Sequence, residues 1–279
     1  MKRVFIILLG LLAAVTARSQ ALSALLIPTD SRSLAMGGTM VPRNDGTLDA
    51  GAYWGIWAPR FADNTVAGID ASVRFGDLDF FLEGTDFIDK PYDISELGGS
   101  KGTFRPYDLI LSLGASYNVI PGLSAGAKLR SVISSLADNA AGSVYCCDVF
   151  AVYGTQDWFA SLSVRNLGGT INYGGADWSL PGLIALDGSW SPLSGLRVAA
   201  NTSVLFSGSF MAGAGAEYCL ADIVTFRGGF HYGDPRKALP TFGSLGIGAK
   251  YAGISLDAAY LIPAGTPGGS LMIRLGYSF

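Results

Sequence analysis

The sequence predicts an all-β protein, a transmembrane antiparallel β-barrel of about 14 strands with a short N-terminal plug segment. Every second residue from 271 to 279 is large and apolar, so this strand has one apolar face and one polar face. Apolar residues make up 49% of the chain and charged residues only 15%, whereas about 25% charged is usual in soluble domains. No second apolar stretch suits a membrane helix, and only helices and closed barrels satisfy their backbone groups in lipid.

Residues 1–19 are expected to be a secretory signal peptide. A basic start precedes an apolar run at 4–14, and small residues follow it. The run is too short to span a membrane, although a signal anchor that stays attached is the alternative. We expect residues 20–50 to form an N-terminal periplasmic or plug segment and residues 51–279 to form the outer-membrane β-barrel.

Alternation of apolar and polar residues recurs along the chain and predicts the strands in order. One such segment is weak evidence, whereas a long series, each member near ten residues, is typical of a membrane barrel. The uncharged stretch 198–216 is rich in Gly and β-favouring residues, which favours a hairpin split at 207–209 over a helix. The predicted strands lie at 51–58, 69–75, 78–83, 107–117, 123–130, 145–153, 158–165, 184–190, 196–206, 210–220, 224–232, 245–251, 254–262 and 271–279.

The lengths of the connections predict which end of the barrel faces outside. Bacterial barrels have short periplasmic turns and longer external loops. Counted back from the C-terminus, long and short connections should therefore alternate, and both termini are expected in the periplasm. The long connections are expected at 83–103, 134–142, 166–182, 233–241 and 262–269, with a tight turn at 207–209 as the exception.

In this register the charged side chains of the strands point into the lumen. A cation that faced lipid at mid-depth would cost about 2–4 kcal/mol, so this consistent placement supports the register. The two signs are nearly balanced, which predicts a lumen filled with paired charges rather than an ion-selective pore. The inward charges are Asp70, Arg74, Asp79, Glu83, Asp108, Lys128, Arg130, Asp148, Arg165, Asp187, Arg197, Glu217, Arg227, Lys250, Asp257 and Arg274.

No catalytic, cofactor-binding or metal site is predicted, and neither an enzyme nor a nucleic-acid partner is expected. The single His, His231, is expected to face the lumen without a second catalytic element. Cys146 and Cys147 point to opposite faces of one strand, so a bridge between them would distort it. These two residues and Cys219 are interpreted as small buried residues. Because no catalytic set is found, an outer-membrane enzyme is the least favoured hypothesis.

Three stretches of the chain are similar to a known family. Residues 31–39, SRSLAMGGT, resemble the opening of the PorV/PorQ outer-membrane proteins of the type IX secretion system, relatives of the FadL-type barrels. Residues 158–173, WFASLSVRNLGGTINY, resemble a family strand that ends in Asn-Leu-Gly, and residues 242–260, FGSLGIGAKYAGISLDAAY, resemble its penultimate hairpin. The sequence departs from the family at 58–61, where Ala-Pro-Arg-Phe stands near the place of an Asn-Pro-Ala-Gly segment.

The resemblance implies a non-enzymatic barrel that docks protein partners in type IX secretion or surface attachment. Those partners would be the secretion or surface-attachment proteins themselves, and a PorV-like shuttling role and a PorQ-like anchoring role both stay open. The alternative function is a FadL-like diffusion channel for hydrophobic small molecules.

Two aromatic pairs are the candidate functional residues. Tyr277 and Phe279 resemble the C-terminal signal read by the barrel-assembly machinery, which would insert the chain among outer-membrane lipid. Tyr173 and Trp178 lie in the long connection 166–182 and are residue types favoured at binding hot spots. They are therefore candidates for a partner-docking loop.

Overall fold

The computed structural model describes residues 22–41, 46–57, 64–96, 99–155, 157–234, 238–265 and 269–279. The predicted signal peptide at 1–19 and the family departure at 58–61 lie outside these residues. Within the described residues, neither helix is long and apolar enough to cross a membrane.

Fourteen strands of the described chain close into one antiparallel barrel, which confirms the predicted fold class. The last strand pairs with the first, so the barrel has no open edge. Two further pairs, β4 with β5 and β10 with β11, form separate hairpins. The strands are β1 (Leu48–Trp57), β2 (Asn64–Phe75), β3 (Leu78–Ile88), β4 (Tyr92–Glu96), β5 (Gly99–Phe104), β6 (Tyr107–Ile120), β7 (Leu123–Ala137), β8 (Ala140–Gly154), β9 (Trp158–Gly168), β10 (Thr170–Tyr173), β11 (Ala176–Ser179), β12 (Leu183–Leu193), β13 (Leu196–Leu205), β14 (Phe210–Leu220), β15 (Val224–Tyr232), β16 (Phe242–Tyr251), β17 (Ile254–Pro263) and β18 (Ser270–Ser278).

The alternation of side chains separates a lipid-facing surface from the lumen. In β6, Leu111 and Leu113 are 49% and 60% exposed, while Ser112 between them is 4% exposed. In β18, Arg274 is buried and the adjacent Leu275 is exposed. An apolar outer band on a closed sheet is the arrangement of a transmembrane β-barrel, because every backbone group is paired and lipid meets only apolar side chains.

The two ends of the barrel differ in their connections. Short turns join the strands at the end where β1 begins and β18 ends, which we call the short-turn end. The opposite, long-loop end carries the two hairpins and the connections predicted at 233–241 and 262–269. The tight turn predicted at 207–209 is also confirmed, since β13 ends at Leu205 and β14 begins at Phe210.

The prediction of a long connection at 134–142 is wrong. β7 and β8 continue through this stretch and meet at a two-residue turn, with Ala137 paired to Ala140. The alternation persists there, since Ser134 is fully buried and Ile133 is 40% exposed. The extra residues therefore lengthen the strand ladder instead of forming a loop.

Residues 22–41, the plug segment, lie inside the barrel. They contain a short 3-10 helix (Ser23–Leu26) and α1 (Ser31–Ala35). Asp30 caps α1, because its carboxylate accepts hydrogen bonds from the Ser33 backbone N–H at 2.9 Å and from the Ser33 hydroxyl at 2.7 Å. β1 then begins at Leu48, slightly before the expected start of the barrel at residue 51.

The apolar core lies between the plug segment and the inner wall, in the half of the lumen near the long-loop end. Leu34 is fully buried there, and so are Phe242 and Leu261 from the barrel wall. The half near the short-turn end instead holds ion pairs. Arg274 of β18 binds Asp49 of β1 at 2.6 Å and Asp70 of β2 at 2.5 Å, across the seam that closes the barrel.

Candidate functional site

The candidate site is the lumen around the plug segment, and an ion-pair cluster holds that segment to the wall. Arg32 of α1 forms an ion pair with Glu217 of β14. Glu217 also binds Arg227 at 3.1 Å, and Arg227 binds Asp257 at 2.6 Å. Because Glu217 and Arg227 are nearly buried, removing the Arg32 charge would disturb a cluster that water does not screen.

The backbone of the plug segment is bonded to side chains from several strands. The Gly37 N–H donates to Ser244 Oγ at 3.1 Å, and the Met40 N–H donates to Asp187 Oδ1 at 3.1 Å. The Asn201 amide donates to the Gly38 carbonyl at 2.9 Å. These bonds satisfy backbone groups that would otherwise be buried without partners.

Glycines of β14, β15 and β16 let the plug segment approach the wall closely. A Cβ added at Gly213 would overlap the Gly37 carbonyl oxygen, and one at Gly215 or Gly229 would overlap the backbone of Met36. We call β13, β14, β15 and β16 the plug wall. Side chains larger than hydrogen at these glycines would push the plug segment away.

A first chamber of about 240 Å³ lies beside the plug segment, toward the long-loop end. Apolar and polar side chains share its lining about equally, and the apolar ones include Leu25 and Ile27 from the plug segment together with Phe87, Ile110 and Leu183 from the wall. All of these wall residues are nearly buried, so the chamber is continuous with the apolar core.

A second chamber of about 430 Å³ lies toward the short-turn end. Phe81 of β3 and Phe150 of β8 line it with their rings 6.0 Å apart at 45°, and Val152 lies beside them. The strands β2, β3, β7, β8 and β9, which provide most of this lining, are called the chamber wall.

Charged side chains form the boundary between the two chambers. Glu83 binds Lys128 at 3.2 Å, Arg130 binds Asp148 at 2.5 Å, and Arg165 binds Asp187 at 3.1 Å. The predicted pairing of inward charges is therefore present, but the expectation of a filled lumen is wrong. Most pairs join neighbouring strands along the wall instead of crossing the lumen, which leaves both chambers open. The residues that line both chambers are Met40, Glu83, Lys128, Arg130 and Arg165.

The candidate docking residues lie at the long-loop end, away from both chambers. Tyr173 is 8% exposed, and its hydroxyl donates to Ser134 Oγ at 2.6 Å. Trp178 is half-buried against the apolar core. Neither ring projects freely, and a docking role for this hairpin stays a prediction.

The candidate assembly residues lie at the short-turn end. Tyr277 and Phe279 are 50% and 68% exposed, and their ring centroids are 6.1 Å apart. The Phe279 carbonyl accepts hydrogen bonds from the N–H groups of Thr47 and Leu48, at the closure of the barrel. Recognition by the assembly machinery stays a prediction.

The remaining residues singled out from the sequence have structural surroundings. His231 faces the lumen as predicted, with Nδ1 3.3 Å from the Gly37 carbonyl and its ring stacked on Phe242. Cys146, Cys147 and Cys219 are all free thiols, and only Cys146 is buried. No group of His, Cys, Asp or Glu side chains suited to a metal ion occurs in the described part of the chain.

Sequence reasoning missed Met40, Phe81 and Phe150. The alternation places Phe81 and Phe150 on the inward face, because their neighbours Phe80 and Val149 face lipid. An aromatic residue on an otherwise charged inner face was the available signal. No pattern in the sequence pointed to Met40, because its position depends on the path of the plug segment.

Comparison with known proteins shows the fold. No family model and no curated protein matches the sequence. The toluene transporter TbuX of Ralstonia pickettii matches with a TM-score of 0.63 at 15% identity, over 91% of this chain and 99% of that chain. CymD, a monoaromatic hydrocarbon channel, gives a TM-score of 0.66 at 12% identity, over 91% and 98% of the two chains. A FadL homologue of Pseudomonas aeruginosa gives a TM-score of 0.55 at 12% identity, over 91% of this chain and 99% of that chain. The chain has the FadL-like outer-membrane barrel fold.

Proposed function

We propose that this protein is an outer-membrane diffusion channel for small hydrophobic molecules. The observation that carries the proposal is the first chamber, a cavity of about 240 Å³ within the barrel whose lining includes the apolar side chains of Leu25, Phe87 and Ile110. An engineered apolar cavity of about 150 Å³ in another protein binds benzene, so this chamber has room for a single aromatic ring. Transfer of such a ring from water onto the apolar side chains of the chamber is favourable in proportion to the apolar area that it buries.

Two further points support the channel. The structural neighbours TbuX and CymD are described as a toluene transporter and a monoaromatic hydrocarbon channel. The charged side chains at the boundary of the chamber are already paired, so they favour neutral over ionic solutes.

The test is to fill the first chamber and measure uptake of toluene by intact cells. Ala185 of β12 is 4% exposed and lines the chamber, whereas Leu186 beside it is 53% exposed and faces lipid. We expect Ala185→Phe to lower the rate of toluene uptake at least fivefold, and Leu186→Phe to leave it unchanged. Equal uptake by both variants, at equal amounts of folded barrel, would contradict the channel function.

A second candidate function is the docking of type IX secretion or surface-attachment proteins. It is favoured by the sequence resemblance of residues 31–39, 158–173 and 242–260 to the PorV/PorQ proteins. The β4–β5 hairpin at the long-loop end offers a surface for it, with Tyr92 42% exposed. A pull-down with this hairpin intact and then shortened tests the proposal. Loss of captured secretion proteins on shortening supports docking, and unchanged capture argues against this surface.

The docking proposal also requires that the long-loop end face the cell exterior. A tag inserted after Gly98 should then be labelled by an impermeant reagent on intact cells. Labelling only after lysis of the outer membrane would reverse the orientation and remove the hairpin from reach of extracellular partners.

A further inference from the structure

We propose that the β10–β11 hairpin is a lid over the long-loop end of the lumen, and that the hydrogen bond from Tyr173 to Ser134 is the latch of this lid. The lid swings aside when a solute passes. This inference rests on the proposed channel function, and it adds the step that controls passage at the long-loop end.

The hairpin lies inside the mouth of the barrel instead of projecting from it. A Cβ added at Gly142, which faces inward from β8, would overlap the backbone of Asn172 in β10. The Tyr173 hydroxyl reaches Ser134, which faces inward from β7 and is fully buried. The hairpin therefore lies against the inner surface of β7 and β8.

The inner face of the hairpin covers the apolar core from the long-loop end. Ile171 is fully buried and the adjacent Asn172 is exposed, so the hairpin has one apolar and one polar face. The buried cluster that contains Ile171 also contains Phe87, Ile110 and Leu183, which line the first chamber. A solute that moves between this chamber and the long-loop end has to part the hairpin from the wall.

The base of the hairpin combines a fixed anchor with a free hinge. The Asn166 backbone N–H donates to Asp148 Oδ1 at 2.8 Å, and the Asn166 amide donates to the Pro181 carbonyl at 3.0 Å. Beyond this anchor, Gly169 joins β9 to β10, and a Cβ added there would have no neighbour within 4 Å. A few residues of this kind at the end of a strand can absorb the rotation of a lid.

The rest of the hairpin is held to the barrel by few polar contacts. β10 pairs with β11 and forms no ladder with β8. Within the described part of the chain, the hydrogen bond from Tyr173 to Ser134 is the one that joins residues 170–179 to the wall. Segments with few such bonds open locally while the strand ladder around them stays closed.

The lid is tested by tying its tip to the barrel wall. A Cβ added at Gly174 would lie 3.2 Å from the carbonyl oxygen of Asn139, in the turn between β7 and β8. Asn139→Cys and Gly174→Cys are therefore combined in a protein whose three native cysteines are replaced by Ala. A short, reducible bis-methanethiosulfonate joins the pair, and mass spectrometry verifies the bridge. Toluene uptake by intact cells should fall about fivefold or more and recover with dithiothreitol, whereas each single-cysteine variant should keep its rate.

The latch is tested with Tyr173→Phe, at an equal amount of heat-modifiable, folded barrel. The uptake rate should rise about two- to tenfold, which corresponds to the net contribution of one hydrogen bond. Tyr145→Phe is the matched control, because Tyr145 is 77% exposed on the outer face of β8, and its rate should equal that of the unaltered protein.

The outcomes separate the lid from the channel. Unchanged uptake after cross-linking, or equal uptake by Tyr173→Phe and Tyr145→Phe, would overturn the lid and leave the channel function standing. Absence of toluene uptake by the unaltered protein would overturn the channel function and the lid with it.

Discussion

The two sides of the barrel interior differ in the size of their inward-facing residues. On the plug wall, Gly213, Gly215 and Gly229 allow the backbone of the plug segment to lie against the strands. On the chamber wall, large side chains such as Phe81 and Phe150 face inward, yet space remains beside them. Both walls follow the same alternation of inward and outward residues.

This difference shows how the sequence determines the position of the plug segment. Small inward residues make room for backbone contact, so a cluster of glycines on neighbouring strands marks where the plug segment lies. Large inward residues that nothing covers mark the open part of the lumen. The following predictions compare matched positions on the two sides, beginning with the largest expected effect.

The largest effect is expected at the seam where β18 meets β1 and β2. Arg274 is 1% exposed and binds two carboxylates, so Arg274→Met would remove the cation that Asp49 and Asp70 share in the lumen. Such a loss typically costs about 3–5 kcal/mol. Arg74→Met is the control, because the Arg74–Asp79 pair is largely exposed and should contribute about 0–1 kcal/mol. Equilibrium urea unfolding in lipid measures the free energy of unfolding of both variants, and equal losses of stability would contradict the role of the seam.

A second prediction compares one phenylalanine from each wall. Phe242 is fully buried beside His231, so Phe242→Ala should lower the free energy of unfolding by about 3–5 kcal/mol. Phe150→Ala should cost only about 1 kcal/mol, because the truncation enlarges a chamber that is already open. The same unfolding measurement separates the two, and a larger loss for Phe150→Ala would show that the chamber wall is packed.

A third prediction concerns adjacent glycines of β15. Gly229→Val should displace the plug segment, because the new side chain would overlap Met36. Gly228→Val should leave the plug segment in place, because a Cβ at Gly228 has no close contact. Overpacking of this kind costs about 1–3 kcal/mol. Limited proteolysis should cleave the N-terminal segment faster in Gly229→Val than in Gly228→Val. Equal protection in the two variants would mean that the plug segment does not depend on this contact.

Much of the fold could be predicted from the sequence because alternation reports directly on the two faces of a strand. It gave the strand number, the inward charges and the lipid-facing surface. It failed at 134–142, where small and polar residues resemble a loop although the alternation continues through Ile133 and Ser134. In this stretch the periodicity is a better guide to the structure than the composition.

The candidate site was less accessible to sequence reasoning. Alternation identifies which residues face inward, but it does not tell which of them the plug segment covers. Charge balance predicted the ion pairs, yet whether pairs such as Arg130–Asp148 run along the wall or across the lumen depends on strand neighbours and stagger. The position of Met40 depends on contacts with residues more than 100 positions away.

The smallest expected effect lies at the long-loop rim of the chamber wall. The Tyr173 hydroxyl donates to Ser134 Oγ, which in turn donates to Asp108 at 2.5 Å. Tyr173→Phe should cost about 0.5–1.5 kcal/mol, the usual net contribution of one hydrogen bond, and should loosen the β10–β11 hairpin alone. Tyr92→Phe is the control, because Tyr92 is exposed and its bond to the Leu136 carbonyl competes with water.

The burial of Tyr173 predicts a pH dependence. Burial raises the pKa of Tyr173 from its ordinary value of 10 to about 12, so the folded hairpin keeps the phenol neutral when the unfolded hairpin would ionise. This contribution to stability is complete below pH 10 and is lost as the pH rises toward 12. Protection of the hairpin from proteolysis should therefore fall over this range in the unaltered protein and change less in Tyr173→Phe. A parallel decline in both proteins would show that another group titrates.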